Sequence, residues 1–383
     1  MKKTAVAVSI NVLQIDHLAP ICQLLNVPML VPTPEHEDLV RELYPRVRAR
    51  VVDFQLYSLV PLLMQHDVVL HSHSLPRDKI RQIFERTTRV VHVPHGYGKP
   101  FAMKYDALED IALVYGNRML EMFKQEGVHE HLRDHVVTGN FRHAYYLEHR
   151  AFFEAKMDGL LGRLKPGTRT ILYAPTWNDA QTGSTFQAAC EFLVDTLPKD
   201  FSIIVKSHPN LLYNEPEVVE AMVRKYADRE GVVFLKEYPL VFPLLARADV
   251  YVGDVSTVSA DYLVFGRPMF FLRSSRYRSK GKTGEIFDCG TVIHEEDFSR
   301  TYEVIQRALP EDGERYAKVR REVWDDIFAT RPLAAVKSEL EALCEKERVD
   351  DEWEVPADLR AEFDAEDRVL KFLPGIDTEN RLV

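Results

Sequence analysis

Short apolar runs alternate with stretches of helical spacing along most of the chain, and this alternation constrains the fold more than any other feature. The runs are rich in Val and Ile and are bounded by polar or turn residues, which is typical of buried strands. They read AVAVSI, PMLVP, ARVVDF, DVVLHS, RVVHVPHG, IALVYG, HVVTGN, RTILYAP, FSIIVKSHP, GVVFLKE, ADVYVGD and PMFFL. Strands that alternate with helices predict parallel sheets that are covered by helices on both faces.

The length of 383 residues suggests two domains. We therefore predict an α/β protein with two doubly wound, Rossmann-like domains that face a cleft. The boundary is expected within residues 148–170, a charged, helical stretch that closes with Pro166 and Gly167. The predicted ranges are 1–155 and 165–345 for the two domains and 346–383 for a C-terminal helix and tail. Ligands of such sheets bind beyond the carboxyl ends of the strands.

Charge and cysteine content exclude several classes of protein. The formal net charge of −10 argues against a nucleic-acid-binding protein, which needs broad positive potential. The four cysteines are far apart in the sequence and form no CxxC pair. We therefore expect reduced, buried thiols and no zinc site.

The N-terminus, MKKTAVAVSINVLQIDHLAP, briefly resembles a signal peptide. Its apolar part is short and is interrupted by Asn11, Gln14 and Asp16, so it predicts a first strand instead. No run approaches the roughly 20 apolar residues that span a bilayer. We expect a cytoplasmic protein, with peripheral contact to the inner face of the membrane as an open possibility.

The first candidate site is HVPHGYGKP, in which an apolar strand ends at a histidine followed by two glycines and a lysine. His95 at a strand end can act as a general base because the ordinary pKa of histidine lies near neutrality. Lys99 could neutralise phosphate charge. The alternative is a loop with a surface histidine and lysine.

Two further strands end in polar residues. In ILYAPTWND, Thr176 could bind a phosphate or cap the next helix, and Trp177 could stack on a ligand or pack. In IIVKSHPN, Lys206 and His208 follow a buried strand and are expected at the ligand-binding edge of the sheet. The alternative for His208 is a satisfied histidine in a turn before Pro209.

The segment ADVYVGDVSTVSADYLVFGRPMFFL carries the most specific signal. A strand ends at Gly253 and Asp254, and Ser256 and Thr257 then open a helix. The amides and hydroxyls at such a helix start suit the two phosphates of a nucleotide diphosphate. Asp261, about one and a half turns into the helix, could bind ribose hydroxyls. Ordinary capping by Ser or Thr is the alternative.

Basic residues and histidines outside these motifs extend the set of candidates. Arg273 and Arg276 belong to a basic stretch that could hold phosphates, touch anionic lipid or simply be solvated. Arg142 could contact an acceptor or pair with an acidic neighbour. His71 and His73 resemble a metal-binding pair, but no carboxylate or cysteine lies nearby in the sequence, so we predict no metal site.

Four of these motifs occur together in a fixed order: HG…K within residues 91–99, YAPTW at 173–177, KSHP at 206–209 and GDxSTxxxDYLxxxRP at 253–268. Together they resemble the CDP-glycerol glycerophosphotransferases, a family that includes teichoic-acid primases and polymerases. The resemblance covers roughly residues 85–275 and is strongest in the last motif. It implies the two-domain GT-B fold of glycosyltransferases, with an N-terminal acceptor domain and a C-terminal donor domain.

The resemblance implies a role for each candidate residue. His95 would activate the acceptor hydroxyl as a base, and His208 would face the donor diphosphate and steady the leaving CMP. The residues implied to bind the donor are Lys206, Thr176, Asp254, Ser256, Thr257 and Asp261. Those that could hold phosphate or acceptor are Lys99, Arg142, Arg273 and Arg276.

The implied reaction moves a phospho-alditol, such as glycerol phosphate, from a CDP-alditol to an acceptor hydroxyl in cell-surface polymer synthesis. The implied acceptor is lipid-linked, the sequence shows no required cofactor, and the need for a metal stays open. Asn178 stands where the family usually has Arg, and Tyr97 to Lys99 replace its Thr-Pro-Leu-Lys, so the acceptor and the alditol stay open. The alternatives are a GT-B sugar transferase or UDP-sugar 2-epimerase-like enzyme, and a non-catalytic nucleotide-binding regulator.

Overall fold

The computed structural model of the protein describes residues 2–72, 88–97, 109–178, 183–277 and 282–347. The described chain forms two compact units. Unit 1 comprises the described parts of Met1–Tyr145 and of Ile327–Val383, and unit 2 comprises those of Tyr146–Asp326. The chain therefore leaves unit 1, builds unit 2 and then returns to complete unit 1.

Each unit contains one parallel sheet. The strands of unit 1 are β1 (Ala5–Val8), β2 (Met29–Val31), β3 (Ala49–Val51), β4 (Val68–His71), β5 (Arg89–His92), β6 (Ile111–Val114) and β7 (Asp134–Val137). Those of unit 2 are β8 (Arg169–Ala174), β9 (Phe201–Lys206), β10 (Val232–Leu235), β11 (Val250–Gly253), β12 (Met269–Arg273) and β13 (Thr291–His294). All strand pairs are parallel.

The two sheets share one topology. Their strand orders are β3-β2-β1-β4-β5-β6-β7 and β10-β9-β8-β11-β12-β13. In each, the order reverses beside the first strand, between β1 and β4 and between β8 and β11. This is the doubly wound arrangement that the alternation of strands and helices predicts, and ligands of such sheets bind where the order reverses.

Helices connect the strands in both units. In chain order they are α1 (Val12–Leu25), α2 (Pro34–Leu43), α3 (Leu56–Leu63), α4 (Asn117–Gln125), α5 (Phe141–Glu148), α6 (Arg150–Leu160), α7 (Phe186–Asp195), α8 (Pro209–Asn214), α9 (Pro216–Lys225), α10 (Phe242–Arg247), α11 (Thr257–Tyr262), α12 (Thr301–Ala308), α13 (Asp312–Ile327) and α14 (Leu333–Glu345). Within the described ranges, no helix is both long and apolar enough to cross a bilayer.

The inner strands are buried on both faces, as parallel sheets covered by helices require, whereas the edge strands β3, β7 and β13 are partly exposed. Every residue of β9 is buried, and Ile203 and Val205 of this strand join Val252 and Phe270 in the core of unit 2. Cys22, Cys190, Cys289 and Cys344 are all free and buried. Burial raises the pKa of Cys190 to about 12, which keeps it as an unreactive thiol.

The return segment after residue 327 completes unit 1. The Ala329 backbone N–H donates to the carbonyl of Tyr115 at 3.0 Å, and α14 packs against β7 and α1. Gly139 has a left-handed φ of 63°, and an ideal Cβ there would lie 2.1 Å from the Ala329 carbonyl oxygen. Only glycine therefore fits this position without displacing the returning chain.

The compact units differ from the predicted domain ranges. The chain passes from unit 1 to unit 2 after Tyr145, and the residues from Ile327 belong to unit 1, whereas the sequence predicts 165–345 as one domain. The difference arises because α14 packs on β7 and α1, which lie about 200 and more than 300 residues earlier in the chain, and no local pattern reveals such contacts. The stretch PRDKIRQIFERT, residues 76–87, has the spacing of a helix, but it and most of the tail at 346–383 lie outside the described residues.

Candidate active site

Unit 2 gathers most of the predicted site residues at one edge of its sheet. Because all strands are parallel, their carboxyl ends meet at this edge. The predicted residues found at or directly after these strand ends are Thr176, Lys206, His208, Asp254, Ser256, Thr257, Arg273 and Arg276. Asp261 lies further along α11 and is only 2% exposed.

Asp254, which follows β11, forms hydrogen bonds to the segment after β8, and the strand order of unit 2 reverses between these two strands. Its Oδ2 accepts hydrogen bonds from the backbone N–H groups of Thr176 (2.7 Å) and Thr185 (3.3 Å), and its Oδ1 accepts from the Thr185 hydroxyl (2.5 Å). Desolvation of the buried carboxyl raises the pKa of Asp254 to about 6, against the opposing effect of these hydrogen bonds. The carboxylate that was predicted to bind the donor thus already accepts three hydrogen bonds from within the protein.

The loop after β8 is fixed at several further points. The Ser184 hydroxyl donates to the Thr176 carbonyl at 2.6 Å, and the Ser184 N–H donates to Asn178 Oδ1 at 2.8 Å. Asn178 Nδ2 in turn donates to Glu215 Oε1 at 3.0 Å. Asn178 therefore ties this loop to Glu215, the residue that precedes α9.

The segment after β11 folds as its sequence predicts. Ser256 is the residue before α11 and is extended, with φ −151° and ψ 174°. Ser259 Oγ accepts from the Ser256 N–H at 3.0 Å and donates to the Ser256 carbonyl at 2.6 Å. The helical segment ends at Gly266 with a left-handed φ of 60°. The predicted helix is confirmed, and the contacts of its residues with a donor remain predictions.

His208 and the two arginines stand on either side of this segment. The His208 ring lies 6.3 Å from the Trp177 ring, measured between centroids. Arg273 and Arg276 are exposed, and the Arg273 guanidinium lies over the Tyr277 ring at 5.6 Å. An ideal Cβ at Gly183 would lie 2.8 Å from Arg276 Cβ, so the loops after β8 and β12 touch.

In unit 1, His95 follows β5 and is exposed. Its ring meets the edge of the buried His17 ring at a centroid distance of 6.4 Å. His17 lies within α1, and sequence reasoning missed it because a lone histidine inside a helix carries no motif. Lys99, the other predicted residue of this motif, lies outside the described residues.

Arg142 forms a buried ion pair with Asp16. Its Nη1 lies 3.1 Å from Asp16 Oδ2, and both side chains are almost fully buried. The Tyr44 hydroxyl donates to the other oxygen of Asp16 at 2.7 Å, and burial followed by the charge of Asp16 raises the pKa of Tyr44. This geometry matches the acidic-neighbour alternative for Arg142, and an acceptor contact remains a prediction.

His71 lies at the end of β4 and pairs with a carboxylate that the sequence does not place nearby. Its Nε2 is 3.2 Å from Glu109 Oε1, and its ring lies 5.4 Å from that of His92. In the part of the chain that the structure describes, no three His, Cys, Asp or Glu side chains are grouped to hold a metal ion. His73 is outside that part.

The sequence of residues 110–347 matches the family described as CDP-glycerol:poly(glycerophosphate) glycerophosphotransferase. The chain belongs to this family. The resemblance seen in the four motifs is thereby confirmed, and the protein is a glycerophosphotransferase-like enzyme. The matched range contains the strand ends of unit 2 and begins after His95.

Solved structures confirm the fold of this glycerophosphotransferase family member. The wall teichoic acid polymerase TagF has a TM-score of 0.64 at 13% identity, over 94% of this chain and 90% of that chain. A TagF variant soaked with CDPG has a TM-score of 0.60 at 13% identity, and the match covers 94% of this chain and 89% of that chain. UDP-GlcNAc 2-epimerase from Neisseria meningitidis bound to UDP-GlcNAc has a TM-score of 0.55 at 12% sequence identity, and the match covers 89% of this chain and 99% of that chain. No curated protein matches the sequence.

Proposed function

We propose that this chain transfers a phospho-alditol, such as glycerol phosphate, from a CDP-alditol to an acceptor hydroxyl and releases CMP. The observation that carries the proposal is the family match over residues 110–347. That range contains YAPTW, KSHP and the β11–α11 segment, which meet at one edge of the unit 2 sheet. The likeness to TagF, a wall teichoic acid polymerase, supports a role in cell-surface polymer synthesis.

The residues of unit 2 suit a donor with two phosphates. Lys206 at the end of β9 and Arg273 at the end of β12 bring positive charge to the edge where ligands of such sheets bind. Fixed cations and hydrogen-bond donors stabilise the charge that develops on transferring phosphates. Ser256 and Thr257 bind the donor phosphates in this proposal, and Asp261 binds the ribose.

Asp254 takes a different part in the proposal from that implied by the resemblance. Its three hydrogen bonds to Thr176 and Thr185 make it a positioning residue that holds the loop after β8. Thr176 and Trp177 then present a fixed backbone to the donor, which lowers the entropy lost on binding.

His95 is the proposed base for the acceptor hydroxyl. It is exposed after β5, and its ring lies edge-on to the ring of His17. An acceptor hydroxyl that loses its proton to His95 would attack the β-phosphorus, and CMP would leave. The proposed acceptor is lipid-linked and is reached from the cytoplasmic face of the membrane.

A donor panel tests the proposal. CDP-glycerol, CDP-ribitol, UDP-GlcNAc and UDP-glucose are compared by the shift they cause in the thermal unfolding midpoint and by the nucleotide they release. Stabilisation by a CDP-alditol and release of CMP are expected. UDP release from a UDP-sugar would support the sugar-transferase alternative, which the likeness to the epimerase fold keeps in view. Tight nucleotide binding without any product would indicate a regulator.

Membrane association needs a separate measurement. The protein is sedimented with vesicles that contain anionic lipid and with vesicles that are purely zwitterionic. Binding that requires anionic lipid and falls with salt is expected from the basic stretch around Arg273 and Arg276. Equal recovery in the supernatant with both vesicles would contradict a peripheral location.

A further inference from the structure

Two buried polar side chains of unit 1 have hydrogen-bonding atoms that no other described residue satisfies. Gln14 is 3% exposed, and its Oε1 accepts a hydrogen bond from the Ile10 N–H at 2.8 Å, whereas its Nε2 has no partner among the described residues. Ser72 is fully buried, and its hydroxyl also has no partner in that part of the chain. Burying such groups unpaired lowers the stability of a fold, so a chain that keeps them is expected to use them for a ligand.

The strand order brings these two side chains to one place. β4 lies between β1 and β5, with Val8 in register with His71 and His71 in register with His92. Ser72 directly follows β4 and therefore lies between the loop after β1, to which the Gln14 side chain is bonded, and the loop after β5. The strand order of unit 1 reverses between β1 and β4, which is where ligands of doubly wound sheets bind.

His17 and His95 connect this place to the proposed base. Gln14 and His17 are three residues apart in α1 and share one face of the helix. The His17 ring lies edge-on to the His95 ring at a centroid distance of 6.4 Å. Because α1 follows β1 and His95 follows β5, this ring contact spans the end of β4 and places Ser72 and Gln14 beside His95. Asn11 and His95 are exposed, so the two buried groups lie one layer below solvent.

The chemistry of the two groups favours a neutral oxygen as their partner. The Gln14 Nε2 can only donate, whereas the Ser72 hydroxyl can donate and accept. One hydroxyl group can accept from Nε2 and exchange a hydrogen bond with the serine. A phosphate would instead favour a cationic partner, and Arg142, a buried cation of α5, is paired with Asp16. The burial of both groups also favours an occupant as small as a hydroxyl.

We propose that Gln14 and Ser72 are specificity-determining residues that bind a second hydroxyl of the acceptor, next to the hydroxyl that attacks the donor. The inference rests on the proposed function for the reaction. In that reaction the attacking oxygen bonds to the β-phosphorus and its proton passes to His95. The bond from phosphorus to the bridging oxygen breaks, and CMP leaves with that electron pair. Gln14 and Ser72 transfer no proton, and they hold the attacking hydroxyl at His95 by binding its neighbour.

Two soluble acceptors that differ by one hydroxyl test the proposal. The phosphodiester of octanol and glycerol ends in a 1,2-diol, and the phosphodiester of octanol and propane-1,3-diol lacks only the second hydroxyl. CMP release from CDP-glycerol is measured with each acceptor, and the affinity of each is measured by calorimetry without a donor. Wild-type protein should prefer the diol by about 10- to 100-fold in kcat/KM and in affinity, because the analogue leaves two buried groups unpaired.

Two variants remove one hydrogen-bonding group each. Ser72→Ala deletes the hydroxyl, and Gln14→Glu keeps an oxygen for the Ile10 N–H while it replaces the amide nitrogen. Each variant should reduce the preference for the diol by about tenfold and leave the affinity for the analogue unchanged. Ser202→Ala is the matched control, because it removes a fully buried hydroxyl from β9 of unit 2, and it should keep the full preference.

Thermal unfolding of the free protein gives a readout that needs no acceptor. The Ser202 hydroxyl accepts from the Lys165 N–H at 3.0 Å, so Ser202→Ala should lower the unfolding midpoint. Ser72→Ala should not lower it, because the hydroxyl has no partner to lose among the described residues. An equal loss of stability in both variants would show that Ser72 is satisfied within the chain and would overturn the proposal.

The acceptor measurements separate this proposal from the proposed function. Equal affinity of wild-type protein for the diol and its analogue, or affinity for neither, would overturn the role of Gln14 and Ser72 even if CMP is released. A preference that survives in both variants would also overturn it. If wild-type protein binds the diol more tightly and releases no CMP, the proposed function is contradicted and the hydroxyl-binding role of the two residues stands.

Discussion

The Asp254 carboxylate accepts a hydrogen bond from the backbone N–H of Thr176 across the two strands at which the strand order of the unit 2 sheet reverses. Neighbouring strand ends diverge at such a point and leave the crevice in which ligands bind. Asp254 also holds Thr185, the residue before α7, through its N–H and its hydroxyl. One buried carboxylate thus sets the position of both ends of the loop that follows β8.

Replacing Asp254 by Asn should change how stability depends on pH. Because burial raises the pKa of Asp254 to about 6 from 3.8, its carboxyl contributes stability that is fully present below the unfolded value. That contribution is lost as the pH rises through about 6. Asn has no such titration and still offers an acceptor to the two N–H groups. The unfolding midpoint of D254N should therefore rise relative to wild type between pH 4 and 7.

The exposed Asp228 provides a matched control in the same unit. Asp228→Asn removes the same charge without touching a buried network, so its midpoint should differ from wild type by a constant amount across this range. Parallel pH profiles for D254N and wild type would show that the Asp254 carboxyl does not titrate as its burial predicts.

Replacing His95 by Ala should abolish turnover and spare donor binding. Loss of a general base lowers kcat by about 10²- to 10⁴-fold, whereas the donor residues lie in unit 2. CMP release and the affinity for CDP-glycerol are measured on the same preparation. His294 is exposed at the end of β13 and serves as the control histidine, because His294→Ala removes a ring without entering the proposed machinery. Turnover that survives in H95A would refute the base role.

Gly253→Ala should destabilise unit 2 through a close approach of two strands. An ideal Cβ at Gly253 would lie 2.7 Å from the Ala174 carbonyl oxygen and 2.8 Å from the Tyr251 hydroxyl oxygen. Overpacking of this kind costs about 1–3 kcal/mol of unfolding free energy. Gly159, exposed in α6 with nothing near its Cβ position, is the matched control. Gly159→Ala should add up to about 1 kcal/mol, and urea unfolding compares the two variants.

Arg142→Met should destabilise unit 1 by about 3–5 kcal/mol, because it leaves the Asp16 carboxylate buried without its cation. Arg41 pairs with Asp38 on the surface, with its side chain 65% exposed, so Arg41→Met should change the unfolding free energy by less than about 1 kcal/mol. Adding Asp16→Asn to Arg142→Met should recover part of the loss. A wild-type urea midpoint for R142M together with a raised KM for the acceptor would assign Arg142 to acceptor binding instead.

The sequence predicts the strands well because each is a short apolar run with polar ends. RTILYAP and FSIIVKSHP, for example, correspond to β8 and β9. Thr291–His294 was missed, although β7, which has the same length and also contains two polar residues, was predicted. The helix that starts after Ser256 and ends at Gly266 was predictable because capping and termination depend on neighbouring residues.

The site was predicted less completely because its organisation depends on pairs that are distant in sequence. His95 and His208 follow strands and carry local motifs, whereas His17 and Thr185 gain their importance only through partners 78 and 69 residues away. Asp254 shows the same limit: the resemblance implied a donor contact for it, and the structure shows that its carboxylate accepts hydrogen bonds from Thr176 and Thr185. Tertiary contacts of this kind leave no periodic trace.

The split composition of unit 1 bears on the order in which a ribosome-bound chain matures. The sheet that is synthesised first has its Tyr115 carbonyl and its β7 flank covered by residues that are synthesised after the whole of unit 2. Unit 2 is a single uninterrupted stretch and can reach its final state while the earlier sheet still exposes an apolar flank. Premature termination after residue 326 would thus yield a folded unit 2 attached to an incomplete unit 1. Chaperones would recognise this product by the surface that α14 normally covers.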